Sequence, residues 1–193
     1  WQTTGQRGFF RQVAWSPDGE SFLARSFFSY DRDDLWLVPA DGGRPERLTR
    51  YVIDFGWSPD GKHVVFTHGA GARTGGLFAV SMDQGQKRQL AWPTGTIQTL
   101  ILSVSEDGVW YASDGDLWLA PYDGSPARRI GAAHWGTQGP VRPSPDGSTV
   151  AYVCSVGVCL QDRTSGSGRT IDAEAQRMAW SPDGSRLAAG AWE

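Results

Sequence analysis

Short stretches of alternating apolar and polar residues recur along the whole chain, and Gly, Pro, Asp and Ser cluster between them. Alternation over about four to eight residues, bounded by turn residues, predicts β-strands. Five of these stretches follow one shared turn sequence, and they read SFLARS, HVVFTH, VWYAS, TVAYVC and RLAAGA. The pattern therefore predicts an all-β protein in which one kind of hairpin recurs.

The shared turn sequence returns at a nearly regular interval. It begins at Ser16, Ser58, Ser105, Ser144 and Ser181, so that successive copies start 42, 47, 39 and 37 residues apart. Four copies read Ser-Pro-Asp-Gly, and the copy at Ser105 reads Ser-Glu-Asp-Gly. Pro and Asp suit the central positions of a type I turn, and Gly suits the left-handed position that follows. A period of about 40 residues is typical of a β-propeller, in which each repeat forms a four-stranded blade.

A second pair of apolar stretches follows in each of the first four repeats. These pairs read DLWLVPA with RPERLT, GLFAVSM with QKRQLA, DLWLAPY with PARRI, and VGVCLQD with GRTI. The sequence thus predicts a single β-propeller domain over residues 1–193, with four-stranded antiparallel blades and about five repeats. The predicted repeats are 11–50, 51–92, 98–131, 138–171 and a partial 175–193. We expect residues 1–10 to supply one closing strand, and the strand count favours an incomplete portion of a larger propeller.

Tryptophan precedes three of the turns, at Trp15, Trp57 and Trp180. We expect these side chains to pack in the layer between neighbouring blades, which is a structural role. The other two copies have Val104 and Pro143 at this position.

Composition narrows the classes of partner. Hydrophobic residues make up 39% of the chain and charged residues 20%, which is ordinary for a folded domain. The net charge of −3 and the absence of a basic stripe argue against nucleic acid as a partner. No apolar run approaches the roughly 18 residues of a transmembrane helix, so no membrane span is expected.

The repeat resembles that of a known family. Residues Val13–Arg50 contain VAWSPDGESFLARS and then DLWLVPADGGRPERLTR, a pattern that resembles the TolB-like propeller repeat, also called the WD40-like PD40 repeat. The resemblance covers nearly the whole chain, from about Gln12 to Trp192. It implies a β-propeller outside the cytoplasm: periplasmic, extracellular or the ectodomain of a lipoprotein. Because the shared motif is structural, it transfers no binding residue to this chain.

Strand order places the connections at two ends of the blades. The first-to-second and third-to-fourth turns share one end, the turn face. The second-to-third and blade-to-blade connections share the other, the loop face, over residues 27–34, 50–54, 68–76, 92–99, 113–116 and 132–140. We predict long, irregular loops there, which are the better place for binding. Each of the following residues either anchors a partner or packs its own loop: Tyr30, Arg32, Arg50, Tyr51, His68, Arg73, Trp92, His134 and Trp135.

Motifs for catalysis, cofactors and metals are weak in this chain. No G-x-S-x-G nucleophile motif occurs, and the three histidines are scattered. Gly56-x-x-x-x-Gly61-Lys62 resembles a phosphate-binding loop, but His63 stands where Ser or Thr is needed. Acidic residues 31, 33 and 34 do not have the spacing of a calcium loop, so we expect a solvated loop. The sequence predicts no catalytic residue, no cofactor and no metal.

Cys154 and Cys159 flank a predicted hairpin loop in the fourth repeat. They align with Ser113 and Trp118 of the third repeat. If they face each other across the two strands, a disulfide can form and would indicate an oxidising compartment. The alternative is two small apolar side chains within a sheet.

Three functions fit the sequence. The first is a non-catalytic binding or scaffold propeller that engages a protein or peptide through its irregular loop face and central channel. The second is the substrate-gating propeller of a prolyl-oligopeptidase-like serine peptidase. The third is a carbohydrate- or small-ligand-binding propeller that uses Trp92, Trp135 or residues of the channel. Exposed sheet faces in an open propeller also predict a homo-oligomer, which light scattering would detect.

Overall fold

The computed structural model describes residues 9–29, 32–70, 73–91, 100–113, 115–132, 141–154, 156–173, 175 and 177–190. Every regular element in these residues is a β-strand, as the alternating pattern predicts. The strands form four antiparallel sheets of four strands and one sheet of two. Within the same residues, no helix is long and apolar enough to cross a membrane.

Each four-stranded sheet is a meander in which consecutive strands are neighbours. Blade one consists of β1 (Phe9–Trp15), β2 (Ser21–Ser29), β3 (Arg32–Pro39) and β4 (Glu46–Arg50). Blade two consists of β5 (Val52–Trp57), β6 (His63–Ala70), β7 (Arg73–Ser81) and β8 (Lys87–Ala91). Blade three consists of β9 (Leu100–Ser105), β10 (Gly108–Ser113), β11 (Asp116–Ala120) and β12 (Arg128–Ala132). Blade four consists of β13 (Val141–Pro143), β14 (Thr149–Cys154), β15 (Gly157–Asp162) and β16 (Gly168–Ile171). A last strand pair follows, β17 (Arg177–Trp180) and β18 (Leu187–Gly190).

The hydrophobic core lies between the blades, because alternate residues of a strand point to opposite faces of its sheet. In β6, Val64 and Phe66 face blade one and pack in a cluster with Leu23. Val65, between them in sequence, faces blade three and packs in a cluster with Val109. Burying a side chain of this size stabilises the fold by about 1.5–3 kcal/mol. Each blade is therefore held mainly by its neighbours.

The first strands of successive blades also contact one another, β5 with β9, β9 with β13 and β13 with β17. The tryptophan before the turn links two pairs of first strands, β1 with β5 and β13 with β17. The indole Nε1 of Trp57 donates a hydrogen bond to the Ala14 carbonyl of blade one, at 3.2 Å. Trp180 makes the equivalent bond to the Arg142 carbonyl of blade four, at 2.8 Å. These two residues lie between blades as expected, whereas Trp15 is 61% exposed.

The prediction of irregular loops at residues 27–34 and 68–76 is wrong. Strand β2 continues to Ser29 and β3 begins at Arg32, with Phe27 paired to Asp33. Likewise β6 and β7 remain paired as far as Ala70 and Arg73. Gly and charged residues in these stretches indicate loops, but pairing with an adjacent strand extends the sheet through them. In the described residues of these two stretches, the loop face is therefore formed by the ends of paired strands.

The turn at Ser105 differs from the other four. Ser105 pairs with Gly108, so only two residues connect β9 to β10. In the Ser-Pro-Asp-Gly copies the hairpin is longer; the backbone N–H of Ser16 donates to the carbonyl of Ser21. Without Pro, the third copy closes a tighter turn and leaves Asp107 available for a contact with another blade.

Candidate functional site

The turn face is built from hydrogen bonds that close within each turn. The Ser16 hydroxyl donates to Asp18 Oδ1 at 2.5 Å, and the Glu20 N–H donates to the same oxygen at 2.9 Å. The Ser21 N–H in turn donates to the Ser16 hydroxyl at 3.0 Å. The Ser–Asp bond recurs at 2.6, 2.5 and 2.5 Å in the turns that begin at Ser58, Ser144 and Ser181. The polar groups of these turns are thus satisfied without any ligand.

These hydrogen bonds also stabilise the ionised aspartates. The bond from Ser144, with further bonds from Ser148, lowers the pKa of Asp146 to about 2. The bonds from Ser181 and Ser185 lower the pKa of Asp183 to about 2 in the same way. A carboxylate that accepts several hydrogen bonds is held in its charged form. These aspartates are therefore structural acceptors and poor candidates for acid–base chemistry.

Other side chains of the turn face make contacts between blades. The ring of His63 stacks on Tyr122 with centroids 4.5 Å apart, and the Tyr122 hydroxyl donates to the Ser105 carbonyl at 2.7 Å. Arg163 bridges blades three and four, because its Nη1 contacts Asp107 Oδ2 at 2.6 Å and its guanidinium lies 5.3 Å from the Trp110 ring centroid. Both contacts tie neighbouring blades together.

A groove of about 390 Å³ lies between blade four and the last strand pair, at the turn-face side. Its wall includes Leu160, Arg169 and Trp180, together with several serine hydroxyls. The carboxylates of Asp146 and Asp162 also line it, but both already accept hydrogen bonds from their own turns. The groove therefore offers few free acceptors to a ligand.

The loop face between blades one and two carries a different arrangement of charges. Arg25 on β2 forms a hydrogen bond from its Nε to Asp33 Oδ2 at 2.6 Å and an ion pair from its Nη2 at 2.5 Å. Its Nη1 donates to the Ile53 carbonyl in blade two at 2.5 Å. Arg25 thus joins two blades and neutralises a carboxylate that is only 8% exposed.

The prediction of a solvated acidic loop at residues 31–34 is wrong for Asp33 and Asp34. Asp33 and Asp34 lie in β3 and are buried, while Asp31 lies outside the described residues. Asp34 Oδ2 is 3.4 Å from Arg47 Nη1, and its Oδ1 has no hydrogen-bond partner. Burial is tolerated because an arginine accompanies each carboxylate.

Asp54 on β5 is half-buried and forms no ion pair with the residues that the structure describes. Burial raises the pKa of Asp54, while hydrogen bonds from the backbone of Phe55 and Ile101 and the charge of Arg25 act in the opposite direction. The Phe55 N–H donates to Asp54 Oδ1 at 2.9 Å. Asp54 therefore lies near the loop-face end of β5, a strand that contacts β9 of blade three.

Tyr51 forms the whole connection between blades one and two, and its φ of 58° is left-handed. That conformation is strained for a residue other than Gly, Asn or Asp, and such strain is frequent at binding sites. The Tyr51 ring meets the edge of His68 with centroids 6.0 Å apart. Burial, with a smaller contribution from Lys87, lowers the pKa of His68, which favours the neutral imidazole.

The structure places some of the candidate residues together. Arg50 and Tyr51 are adjacent at the end of β4, and Tyr51 contacts His68. Arg32 begins β3 and Arg73 begins β7, at the same end of their blades. Four candidates lie outside the described residues: Tyr30, Trp92, His134 and Trp135.

Sequence reasoning missed Arg25 and Asp54, and it placed Asp33 in a solvated loop. Arg25 is a charge at the centre of the strand sequence SFLARS, and this conflict with the apolar alternation is a usable signal. Asp54 similarly interrupts the apolar strand VIDFGW. Their importance depends on contacts between blades, which the repeat pattern does not contain.

The cysteines occupy a position that every complete blade bridges in its own way. Cys154 and Cys159 are disulfide-bonded, with Cα atoms 5.8 Å apart, and lie diagonally across the β14–β15 hairpin. In blade one the Trp36 indole donates to the Ser26 hydroxyl at 3.0 Å, and in blade three the Trp118 indole donates to the Ser113 carbonyl at 3.3 Å. In blade two the rings of His68 and Phe78 meet edge to face, 6.3 Å apart.

No family model matches this chain. An uncharacterized protein of Agrobacterium fabrum is 26% identical over 206 residues, which cover 90% of this chain and 67% of that protein. Among solved structures, TolB from Acinetobacter baumannii superposes with a TM-score of 0.60 and 20% identity, covering 94% of this chain and 48% of that chain. The fold is a TolB-like β-propeller. This agreement confirms the fold expected from the repeats.

A peptidase has a similar fold over part of its length. Dipeptidyl peptidase 4 from Porphyromonas gingivalis superposes with a TM-score of 0.64 and 13% identity, covering 95% of this chain and 36% of that chain. This chain therefore spans about half the length of the TolB structure and about a third of the peptidase. At these identities the likeness establishes a propeller module and leaves its role to the residues.

Proposed function

We propose that this propeller is a non-catalytic binding module outside the cytoplasm, and that it engages a protein or a peptide through its loop face and central channel. The observation that carries the proposal is the contrast between the two faces. The turns at Ser16, Ser58, Ser144 and Ser181 satisfy their own polar groups. The loop face near blades one and two combines buried charges, a half-buried Asp54 and a left-handed Tyr51.

Features of this kind favour recognition of a partner over catalysis. Arginine and aromatic side chains contribute strongly to protein interfaces. Arg50 is exposed beside Tyr51, and His68 lies against the same tyrosine. The described residues bring no nucleophile, base and orienting group together here, as acyl transfer by a triad would need. The Cys154–Cys159 disulfide accords with a location outside the cytoplasm.

A matched pair of charge reversals tests the face. Arg44 and Arg50 are both exposed and lie at opposite ends of the same edge of blade one. Peptides selected from a random display library against the purified chain would be measured by fluorescence anisotropy against R50E and R44E. We expect R50E to weaken binding and R44E to leave it unchanged. Equal effects, or loss only in R44E, would contradict the assignment of the loop face.

The likeness to the peptidase propeller favours a second candidate, a gating domain for a separate hydrolase. The natural full-length polypeptide would be treated with a fluorophosphonate, which labels activated serines. We expect no labelling for a binding module. Labelling outside residues 1–193 would establish the gating role instead.

A further inference from the structure

Asp54 lies where three blades meet. Arg25 of blade one reaches the carbonyl of Ile53, the residue before Asp54. Strand β5, which carries Asp54, contacts β9 of blade three. This point is on the first strand of blade two, near its loop-face end. A ligand group that enters between the loop-face ends of these blades would meet the carboxylate.

The charges at this point do not cancel. Arg25 is paired with Asp33 at 2.5 Å, so these two side chains neutralise each other. Asp54 makes no ion pair within the described residues. The group of three therefore carries one excess negative charge. In a half-buried position such a charge is screened weakly and attracts a cation more strongly than an exposed carboxylate does.

Thr67 provides an independent observation. It is the cross-strand partner of Asp54, so the two side chains lie side by side on the face toward blade three. Thr67 is 2% exposed, and its Oγ1 has no hydrogen-bond partner. Buried hydroxyl groups are nearly always hydrogen-bonded, because an unmade bond is unfavourable. An orphan oxygen beside an unpaired carboxylate marks a place where a donor is missing.

We propose that Asp54 and Thr67 form a subsite for a basic group of the bound protein or peptide, a guanidinium or an ammonium. Both groups present several N–H donors and no acceptor, so one can serve the carboxylate while another satisfies Thr67 Oγ1. The inference rests on the proposed function and adds the chemistry of the ligand. Recognition then requires a positive charge at one position of the partner.

The same arrangement predicts opposite effects of one substitution on stability and on binding. Asn at position 54 can still accept the backbone hydrogen bonds but removes a charge that burial disfavours. Asp54→Asn should therefore raise the unfolding midpoint and weaken binding of the ligand. Thr67→Val should do likewise, because it removes the orphan hydroxyl at nearly constant volume. A residue with a purely structural role would lose stability on substitution.

The experiment uses the random-sequence display library selected on the wild-type chain, with sequencing of the retained peptides and anisotropy on the best. We expect an Arg or Lys to be enriched at one position of the retained peptides. D54N should lower the affinity for the best peptide at least about tenfold. The matched control is D41N, an exposed acid-to-amide change on the turn face. It should leave affinity unchanged. Replacing the enriched Arg of the peptide by citrulline should reproduce the loss in the wild type and have little effect in D54N.

Two results would overturn the inference, and they differ in their consequences. Peptides that bind without an enriched basic residue, or that bind D54N as tightly as wild type, would refute the subsite and leave the binding function standing. Failure to select any peptide would refute both the function and the subsite. The unfolding midpoints of D54N and T67V are measured in parallel, and a midpoint at or above that of the wild type excludes unfolding as the cause of a loss of affinity.

Discussion

Aspartates on the turn face and on the loop face experience opposite environments. Asp146 and Asp183 accept hydrogen bonds from serines of their own turns, and their pKa values fall to about 2. Asp54, on the loop-face side, is half-buried, forms no ion pair among the described residues, and has a raised pKa. The turn is closed by local chemistry and is repeated almost unchanged. The contacts of the loop face differ from blade to blade, which accords with the proposal that recognition takes place there.

The third strand of each blade also differs at one residue position near the loop face. Blades one and three place a tryptophan there, blade two a phenylalanine and blade four a cysteine. The sheet geometry is retained in all four blades. Stability at this end therefore comes from whichever cross-strand contact is present, and four predictions test how far the two faces differ.

The largest effect is expected on the turn face, for Ser58→Ala. The Ser58 hydroxyl donates to Asp60 at 2.6 Å and accepts the His63 N–H at 2.8 Å, and Ser58 is 1% exposed. Its loss leaves a buried N–H unpaired, so we expect destabilisation of about 3 kcal/mol in urea unfolding. Ser185→Ala, an exposed control in the last turn, should cost less than about 0.5 kcal/mol. A similar cost for both would mean that burial of the turn network is unimportant.

On the loop face, the disulfide should contribute somewhat less. Replacing both cysteines by serine, C154S/C159S, removes a short covalent loop and should lower stability by about 2 kcal/mol. The variant C154S/C159W recreates the Ser and Trp of blade three and should recover part of that loss. Thermal unfolding with and without reductant gives the comparison. No response of the wild type to reductant would argue that the bond does not stabilise the blade.

One glycine of the turn face should contribute about 1 kcal/mol to the free energy of unfolding. Gly61 has a φ of +72°, which is costly for a residue with a Cβ. Gly61→Ala should therefore destabilise the protein by about 1 kcal/mol in chemical denaturation. Gly190→Ala is the matched control, because an added Cβ there meets nothing within 4 Å and the backbone has no positive φ. Equal effects would show that the left-handed turn carries no strain.

The smallest effect, in pH dependence, should have opposite signs for the two kinds of aspartate. Asp146 and Asp183 have pKa values lowered from 3.8 to about 2, so their contribution is present above pH 3.8 and is lost as pH falls toward 2. Asp54 has a raised pKa, so its ionisation reduces stability as pH rises above 3.8. Unfolding midpoints should fall less steeply with acid in D146N/D183N. In D54N the gain over wild type should disappear at low pH.

Local interactions explain why much of the fold could be predicted. The hydrogen bonds of a Ser-Pro-Asp-Gly turn close within six residues, so the sequence of Ser16–Ser21 contains its own structure. The ends of β2 and β6 could not be predicted in this way, because the neighbouring strand decides how far pairing continues. Arg25 and Asp54 were missed for the same reason. Arg25 bonds the Ile53 carbonyl of another blade, and Asp54 is half-buried on a strand that contacts blade three.

The indole bonds of Trp57 and Trp180 have a direction. Each tryptophan donates to a carbonyl of the blade that precedes it in the chain, Ala14 for one and Arg142 for the other. During synthesis the acceptor leaves the ribosome before the donor does. A newly made blade therefore meets a finished surface on which to dock, and assembly can follow translation from the amino end. Under a pulling force the same order should run in reverse, with later blades detaching first.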